Sequence, residues 1–192
     1  MVIKLLTKEQ RSKVFSQYMV RHFHKSELKP ISEIEKLISE DKYACYGLYN
    51  KKSDEFRGYA YFAKKNGKQV LLLDYLAVLK SYRSLGIGSK FIKIMKKSFQ
   101  GEYKAVLAEV ENPDYAKNDK ERNLRKRRIK FYQRNGLCLS NVLSGIAENE
   151  YRIMVLNLEK PLEDKNIITE LNMIYKATMP LDLKINLRLS DK

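Results

Sequence analysis

The chain has 192 residues, with 38 Lys and Arg against 23 Asp and Glu, a formal net charge of +15, 8 Gly, 4 Pro and 2 Cys. That length suits one domain with a substantial core, and so little glycine and proline excludes a fibrous or low-complexity chain. MVIKLLTKEQ turns polar too soon for a secretory leader, no apolar run is long enough to span a membrane, and Cys45 and Cys138 stand far apart without metal-ligand spacing, so the expectation is a cytoplasmic protein with reduced cysteines, no membrane contact and no metal.

Val2 to Leu6 reads as a first strand. Thr7-Lys8-Glu9-Gln10 has the T-x-x-Q form of a capping box, and the helix it opens runs to about Arg21 with Val14, Phe15, Tyr18 and Met19 on one face. The only two histidines, His22 and His24, follow it. Pro30 and Ser32-Glu33-Ile34-Glu35, again of S-x-x-E form, start a second helix that ends near Glu40. Tyr43 to Tyr49 and Arg57 to Lys64 flank a polar turn as an antiparallel hairpin, and Asn66-Gly67 turns the chain into a third strand. That strand, Val70 to Val78, is apolar except for Asp74, the pattern of a strand covered on both faces. Simple alternation puts Asp74 on the face of Leu72, Leu76 and Val78.

Lys80-Ser81-Tyr82 ends the strand, and Arg83-Ser84-Leu85-Gly86-Ile87-Gly88 leads into a helix whose apolar residues Ile87, Phe91, Ile94, Met95 and Phe99 recur at helical spacing. Two glycines that let the backbone approach a ligand, placed where a helix leaves its first amides unpaired, favour a bound phosphate. The spacing is neither that of a dinucleotide loop, since Phe91 stands where a third glycine would be, nor that of a P-loop, since Ser89 separates Gly88 from Lys90.

Tyr103 to Val110 is a further buried strand running into Glu109-Val110-Glu111-Asn112-Pro113, where the proline stops it. Asn118 and Glu121 are capping candidates for a helix from Glu121 to about Asn135, which carries RRIKFYQRNGL and ends at Gly136. Leu137 to Val142 and Tyr151 to Leu158 are two strands joined by a polar turn. Residues 1–160 thus form one domain, and Pro161 sets off residues 161–192 as a helix and tail packed on it. In that extension Ile167, Ile168, Leu171, Ile174 and Tyr175 share a helical face, and Leu181 to Leu189 alternates like an edge strand or a tail that pairs in a homodimer.

An apolar strand ending in L-A-V, then R-x-x-G-x-G at Arg83 to Gly88, then a helix with Phe131-Tyr132 that ends at Gly136 before Leu137, resembles the GCN5-related N-acetyltransferase (GNAT) superfamily. The resemblance implies an α/β fold of the GNAT (acyl-CoA N-acyltransferase) type, a mixed, mostly antiparallel sheet flanked by helices. It also implies an enzyme that moves acetyl from acetyl-coenzyme A to a primary amine by direct attack in a ternary complex. On that resemblance Leu76, Ala77, Val78, Arg83, Ser84, Leu85, Gly86, Ile87, Gly88 and Ser89 meet the coenzyme. Arg83 and the amides from Leu85 to Ser89 hold the pyrophosphate, and the backbone near Val78 polarises the thioester carbonyl where neighbouring strands splay. Tyr132 falls where a family tyrosine protonates the departing thiolate, a role open to a phenol that stays protonated near neutral pH; its other reading is a core tyrosine packed with Ile129. The asparagine that touches the pantetheine arm in the family has no clear counterpart, Asn123 being displaced and Arg125 standing at its offset.

Direct attack needs a neutral amine, so a side chain must take a proton from an ammonium of pKa ~10. By resemblance the position of Asp74 looks toward the acetyl group, making it a candidate base, or else a carboxylate bound to backbone or arginine. Glu109 and Glu111 are the alternatives, and equally ion-pair partners for Arg127 or Arg128. His22 and His24 either line an acceptor pocket or sit on the surface at a helix end. The acceptor itself is open between a small polyamine or amino compound and a protein N-terminus or lysine. The spread of basic residues reads first as a solvated surface plus the cations a phosphate-rich coenzyme needs. The alternative is a nucleic-acid- or ribosome-associated module that keeps the fold without turnover.

Overall fold

In the computed structural model, which describes residues 1–67, 69–180 and 182–190, the chain begins in strand β1 (Val2–Leu5) and turns at Thr7. The capping box is formed: the Thr7 hydroxyl accepts from the Gln10 amide at 3.3 Å, and the Gln10 side chain accepts from the Thr7 amide at 2.9 Å. Helix α1 (Lys8–Val14) widens into a π-helical stretch (Phe15–Met19) before a last turn, α2 (Val20–His22). Helix α3 (Ile31–Ser39) starts from Pro30, not from Ser32. Proline's fixed φ already suits a helix start, so Ser32 falls inside the first turn and the expected S-x-x-E box is not made.

Strands β2 (Tyr43–Tyr49), β3 (Phe56–Lys64) and β4 (Val70–Val78) form the expected meander, and helix α4 (Ile87–Phe99) crosses over to β5 (Ala105–Glu111). Helix α5 (Asp119–Arg134) starts two residues earlier than expected, with Asn118 accepting from the Glu121 amide at 2.9 Å. Strands β6 (Cys138–Ile146) and β7 (Asn149–Asn157) then precede helix α6 (Asp164–Thr178) and strand β8 (Ile185–Leu189). All eight strands join one sheet in the order β1-β2-β3-β4-β5-β7-β6-β8. Among the described strands only β4 and β5 run parallel, and a parallel pair needs a crossover such as α4 supplies. The sheet is therefore mixed and mostly antiparallel. Strand β8 lies on its edge against β6 of the same chain, while Leu181, where the expected tail segment begins, lies outside the described residues.

Each face of the sheet has its own core. On the first, Val14 of α1, Ile34 of α3 and Leu171 of α6 pack over Tyr59, Tyr61 and Leu72. On the second, Phe91, Met95 and Phe99 of α4 pack over Phe62, Leu71 and Val106. Those three α4 side chains are at most 2% exposed, and burying each stabilises by about 2 kcal/mol. Helix α4 is thereby pinned, and so is the loop at its N-terminus.

Candidate active site

Strands β4 and β5 pair only from Val70 to Leu73 and from Ala105 to Ala108. Beyond that point β4 stays with β3 as far as Val78, and β5 stays with β7 as far as Glu111, so the two strands part and leave an opening. Successive strand residues turn their amides to opposite edges. Since the Leu79 amide donates to the Arg57 carbonyl on the β3 side at 2.9 Å, the backbone groups of Val78 and Leu76 face the opening. There the Val78 carbonyl accepts from Arg83 Nε at 3.0 Å. Among the described residues no strand lies opposite the Leu76 and Val78 amides, which is the arrangement an oxyanion donor requires.

A β-bulge reorders the side chains of β4. Tyr61 stands opposite Tyr75 and Phe62 opposite Leu73, so Asp74 is an extra residue without a partner on β3. Asp74 and Tyr75 consequently share the first face with Leu72 and Ala77, while Leu76 and Val78 move to the second. The expected grouping of Asp74 with Leu76 and Val78 is corrected here, because the bulge breaks the period of two.

At the head of α4, Ser84 and Gly86 both take left-handed backbone angles, with φ of 62° and 70°. Arg83, Ser84, Leu85, Gly86 and Ser89 are exposed, while Ile87 is buried beneath them. Lys90 N–H bonds back to the Gly86 carbonyl at 3.1 Å, and the amides before it in the first turn have no helical partner. A Cβ on Gly88 would lie 3.1 Å from the Phe131 ring, so its missing side chain lets α5 close against α4. The turn is an exposed ring of donors with Arg83 and Lys90 beside it, which fits a phosphate group. Nothing in the sequence marked Ser84 as left-handed.

On the second face, Tyr132 of α5 packs at the cluster that includes Leu76 and Val78, its ring 5.4 Å from that of Phe131. Burial pushes its phenol above the ordinary value, with Arg128 opposing, so the hydroxyl keeps its proton at neutral pH. Arg125 is engaged elsewhere, donating to the Asn112 carbonyl at 2.7 Å and to Glu121 at 2.6 Å.

The candidate bases differ in their surroundings. Asp74 is held by Lys29 Nζ at 2.8 Å and by the Tyr43 hydroxyl. Burial works against the Lys29 charge, but Asp74 more than offsets it and holds the ammonium above its usual range. Glu111 is bridged by Arg128 at 2.5 Å and lies 3.7 Å from Arg125. Glu109 shares the first face with Asp74 across the opening and has no ion-pair partner among the described residues; the Tyr175 hydroxyl donates to its Oε1 at 2.5 Å. Burial pushes the Glu109 carboxyl up to about 7, with the Tyr175 hydroxyl pulling it back, Asp74 adding to the rise, and Ser144 and Lys29 opposing it.

Of the histidines, His24 is exposed and caps a single 3-10 turn, whereas His22 is half-buried. Its ring stacks on Tyr59 at 5.9 Å, with Nδ1 2.9 Å from the Tyr59 hydroxyl, and lies 6.3 Å from Tyr18. Burial and then Arg83 lower its pKa, so it is neutral near pH 7. Tyr59 pairs with Ala77, which puts this aromatic wall on the first face beside the end of β4. The i, i+4 spacing of Tyr18 and His22 was the one signal of it in the sequence. Among the described residues there is no cluster of three or more His, Cys, Asp or Glu placed to hold a metal, and no helix long and apolar enough to cross a membrane.

Comparison with known proteins adds an independent line. The model of the acetyltransferase (GNAT) family matches residues 6–137. A search of curated proteins gives no match. Among solved structures, a GNAT-family protein from Bacteroides thetaiotaomicron superimposes with a TM-score of 0.70 at 16% identity, over 91% of this chain and 96% of that one. An aminoglycoside 6'-N-acetyltransferase complexed with coenzyme A gives 0.56 at 15% identity, over 85% and 100%. A mutant spermidine N-acetyltransferase from Vibrio cholerae gives 0.57 at 9% identity, over 82% and 95%. At such identities these structures speak for the fold.

Proposed function

Because the chain belongs to the acetyltransferase (GNAT) family, we propose that it transfers acetyl from acetyl-coenzyme A to a primary amine by direct attack, the two substrates meeting in the opening between β4 and β5. Acetyl-coenzyme A supplies an activated thioester: the amine nitrogen bonds to its carbonyl carbon, the C–S bond breaks, the amine gives up a proton and the coenzyme leaves as the thiol. Arg83, Lys90 and the amides from Leu85 to Ser89 would hold its pyrophosphate at the head of α4. The amides of Leu76 and Val78, which face the opening, would stabilise the negative charge that develops on the thioester oxygen.

The observation that supports the reading is that Tyr132 and Glu109 lie on opposite faces of one opening. Tyr132, on the second face, keeps its proton and can give it to the departing sulfur. Glu109, on the first face, is half-buried, has no ion-pair partner among the described residues and has a carboxyl pushed up to about 7, so near neutral pH it can take a proton from the amine. Asp74 is the weaker candidate, since Lys29 and Tyr43 already engage it. His22, Tyr59 and Tyr18 form an aromatic wall along which the acceptor would lie.

The acceptor we favour is a small polyamino compound. The aromatic wall suits an alkyl or cationic chain, and two structures of this fold come from enzymes named for aminoglycosides and spermidine. Arg125 and Arg128 are tied to Glu111, which weakens the case for α5 as a nucleic-acid surface. The test is release of coenzyme thiol from acetyl-coenzyme A in the presence of spermidine, an aminoglycoside or a lysine-containing peptide. Release with either small amine supports the proposal, release with the peptide alone moves the acceptor to protein amines, and release with none overturns the transfer reading.

A further inference from the structure

The residues matched by the family end at Leu137, yet a side chain from the C-terminal extension hydrogen-bonds to Glu109 beside the opening. Tyr175 sits on α6 and is 2% exposed, in line with Ile167, Leu171 and Ile174, which pack the helix onto the first face. A phenylalanine would serve that packing equally well. A buried hydroxyl is stabilising only where it finds polar partners. This one finds two, Glu109 Oε1 at 2.5 Å and the Ser144 hydroxyl at 3.0 Å. Ser144 lies on β6 and is fully buried.

We infer that α6 is part of the active site, with Tyr175 as a positioning residue that fixes the carboxylate of Glu109 at the opening between β4 and β5. The inference rests on the reading of Glu109 as the proton acceptor and assigns the C-terminal helix a role in the chemistry. Buried carboxylates drift to the neutral form and cease to act as bases at physiological pH. A hydroxyl that donates to the ionised form works against that drift, and it fixes the rotamer as well. The groups facing Glu109 are Asp74 on β4, Lys29 before α3, Tyr151 on β7, Ser144 on β6 and Tyr175 on α6, with Glu111 farther along its own strand. Tyr175 donates the one hydrogen bond to Glu109 that reaches in from the C-terminal extension.

The test uses the full chain with its glutamate side-chain carboxyl carbons labelled with 13C, the Glu109 signal being identified by its loss in Glu109→Gln. In the wild type this signal is expected to titrate near pH 7. In Tyr175→Phe, which keeps the ring, the midpoint should rise by about half a unit or more. Ser144→Ala should raise it by less. With whichever of spermidine or an aminoglycoside is acetylated, the acidic limb of turnover should move with the midpoint. An unchanged midpoint in Tyr175→Phe overturns the inference, as does a wild-type midpoint in the ordinary carboxylate range. Failure of the acetyltransferase reading shows separately, as absence of acetyl-coenzyme A binding by the wild type, and leaves the titration result standing.

Discussion

Replacing Glu109 by Gln should make the protein more stable, and increasingly so as pH rises. The ordinary carboxyl value is 4.5, and in the folded chain Glu109 is pushed up to about 7, chiefly by burial. The folded state thus holds this proton more tightly than the unfolded state. The stabilisation it brings is complete below the unfolded value and is lost as pH rises through the folded one. A shift of roughly 2.5 units corresponds to about 3 kcal/mol at most, of which about 2 kcal/mol is lost between pH 5 and pH 8. Glutamine can still accept from Tyr175 and does not ionise, so the variant escapes the loss. All other titrating groups are common to the two proteins and largely cancel in the difference. Thermal unfolding of both at pH 5 and pH 8, at constant ionic strength, should show the gap in Tm widen by about 5 °C in favour of the variant. A gap that stays constant, or narrows, would mean that folding does not raise the Glu109 pKa and would remove it as the base.

Tyr132→Phe should lower turnover by about 10²-fold or more with little change in coenzyme affinity, because a general acid acts in the transition state; unaltered turnover in steady-state kinetics would take the phenol out of the reaction. Gly86→Glu should weaken acetyl-coenzyme A binding in calorimetry by more than tenfold, since a carboxylate would then stand beside the pyrophosphate and a left-handed φ of 70° would be strained; intact affinity would place the phosphate elsewhere. Asp74→Asn should chiefly destabilise, by about 2 kcal/mol, because Lys29 loses its partner in a pair whose side chains are only 16% and 18% exposed. Unchanged stability with a displaced acidic limb of turnover would instead make Asp74 the base.

Features set by neighbouring residues could be read from the sequence. Thr7 with Gln10, and Asn118 with Glu121, cap their helices within three residues, and the two glycines at Gly86 and Gly88 mark a strand-to-helix turn. The apolar run from Val70 to Val78 was legible as a strand covered on both faces for the same reason that its bulge was not. Where Leu72, Leu73, Tyr75 and Leu76 are all apolar, shifting the period of two by one residue leaves no trace in the pattern. The Ser32 box failed because Pro30 offered an earlier helix start. The site suffered most from distance along the chain. His22 meets Tyr59 across 37 residues, Lys29 meets Asp74 across 45, and Tyr175 meets Glu109 across 66. No local rule connects such pairs. Only the folded sheet shows that Asp74 is paired with a lysine while Glu109 is held by a tyrosine hydroxyl.

The head of α4 and the opening between β4 and β5 are the proposed seat of acetyl-coenzyme A. The most direct test of this placement is thermal unfolding of the purified chain with acetyl-coenzyme A, with free coenzyme A and with NADH. At ligand about a hundredfold above Kd, binding stabilises by roughly 2.7 kcal/mol, a rise in Tm of about 5 to 10 °C. A rise with both forms of the coenzyme and none with NADH is the expected result. No rise with either form, or an equal rise with NADH, would contradict the claim.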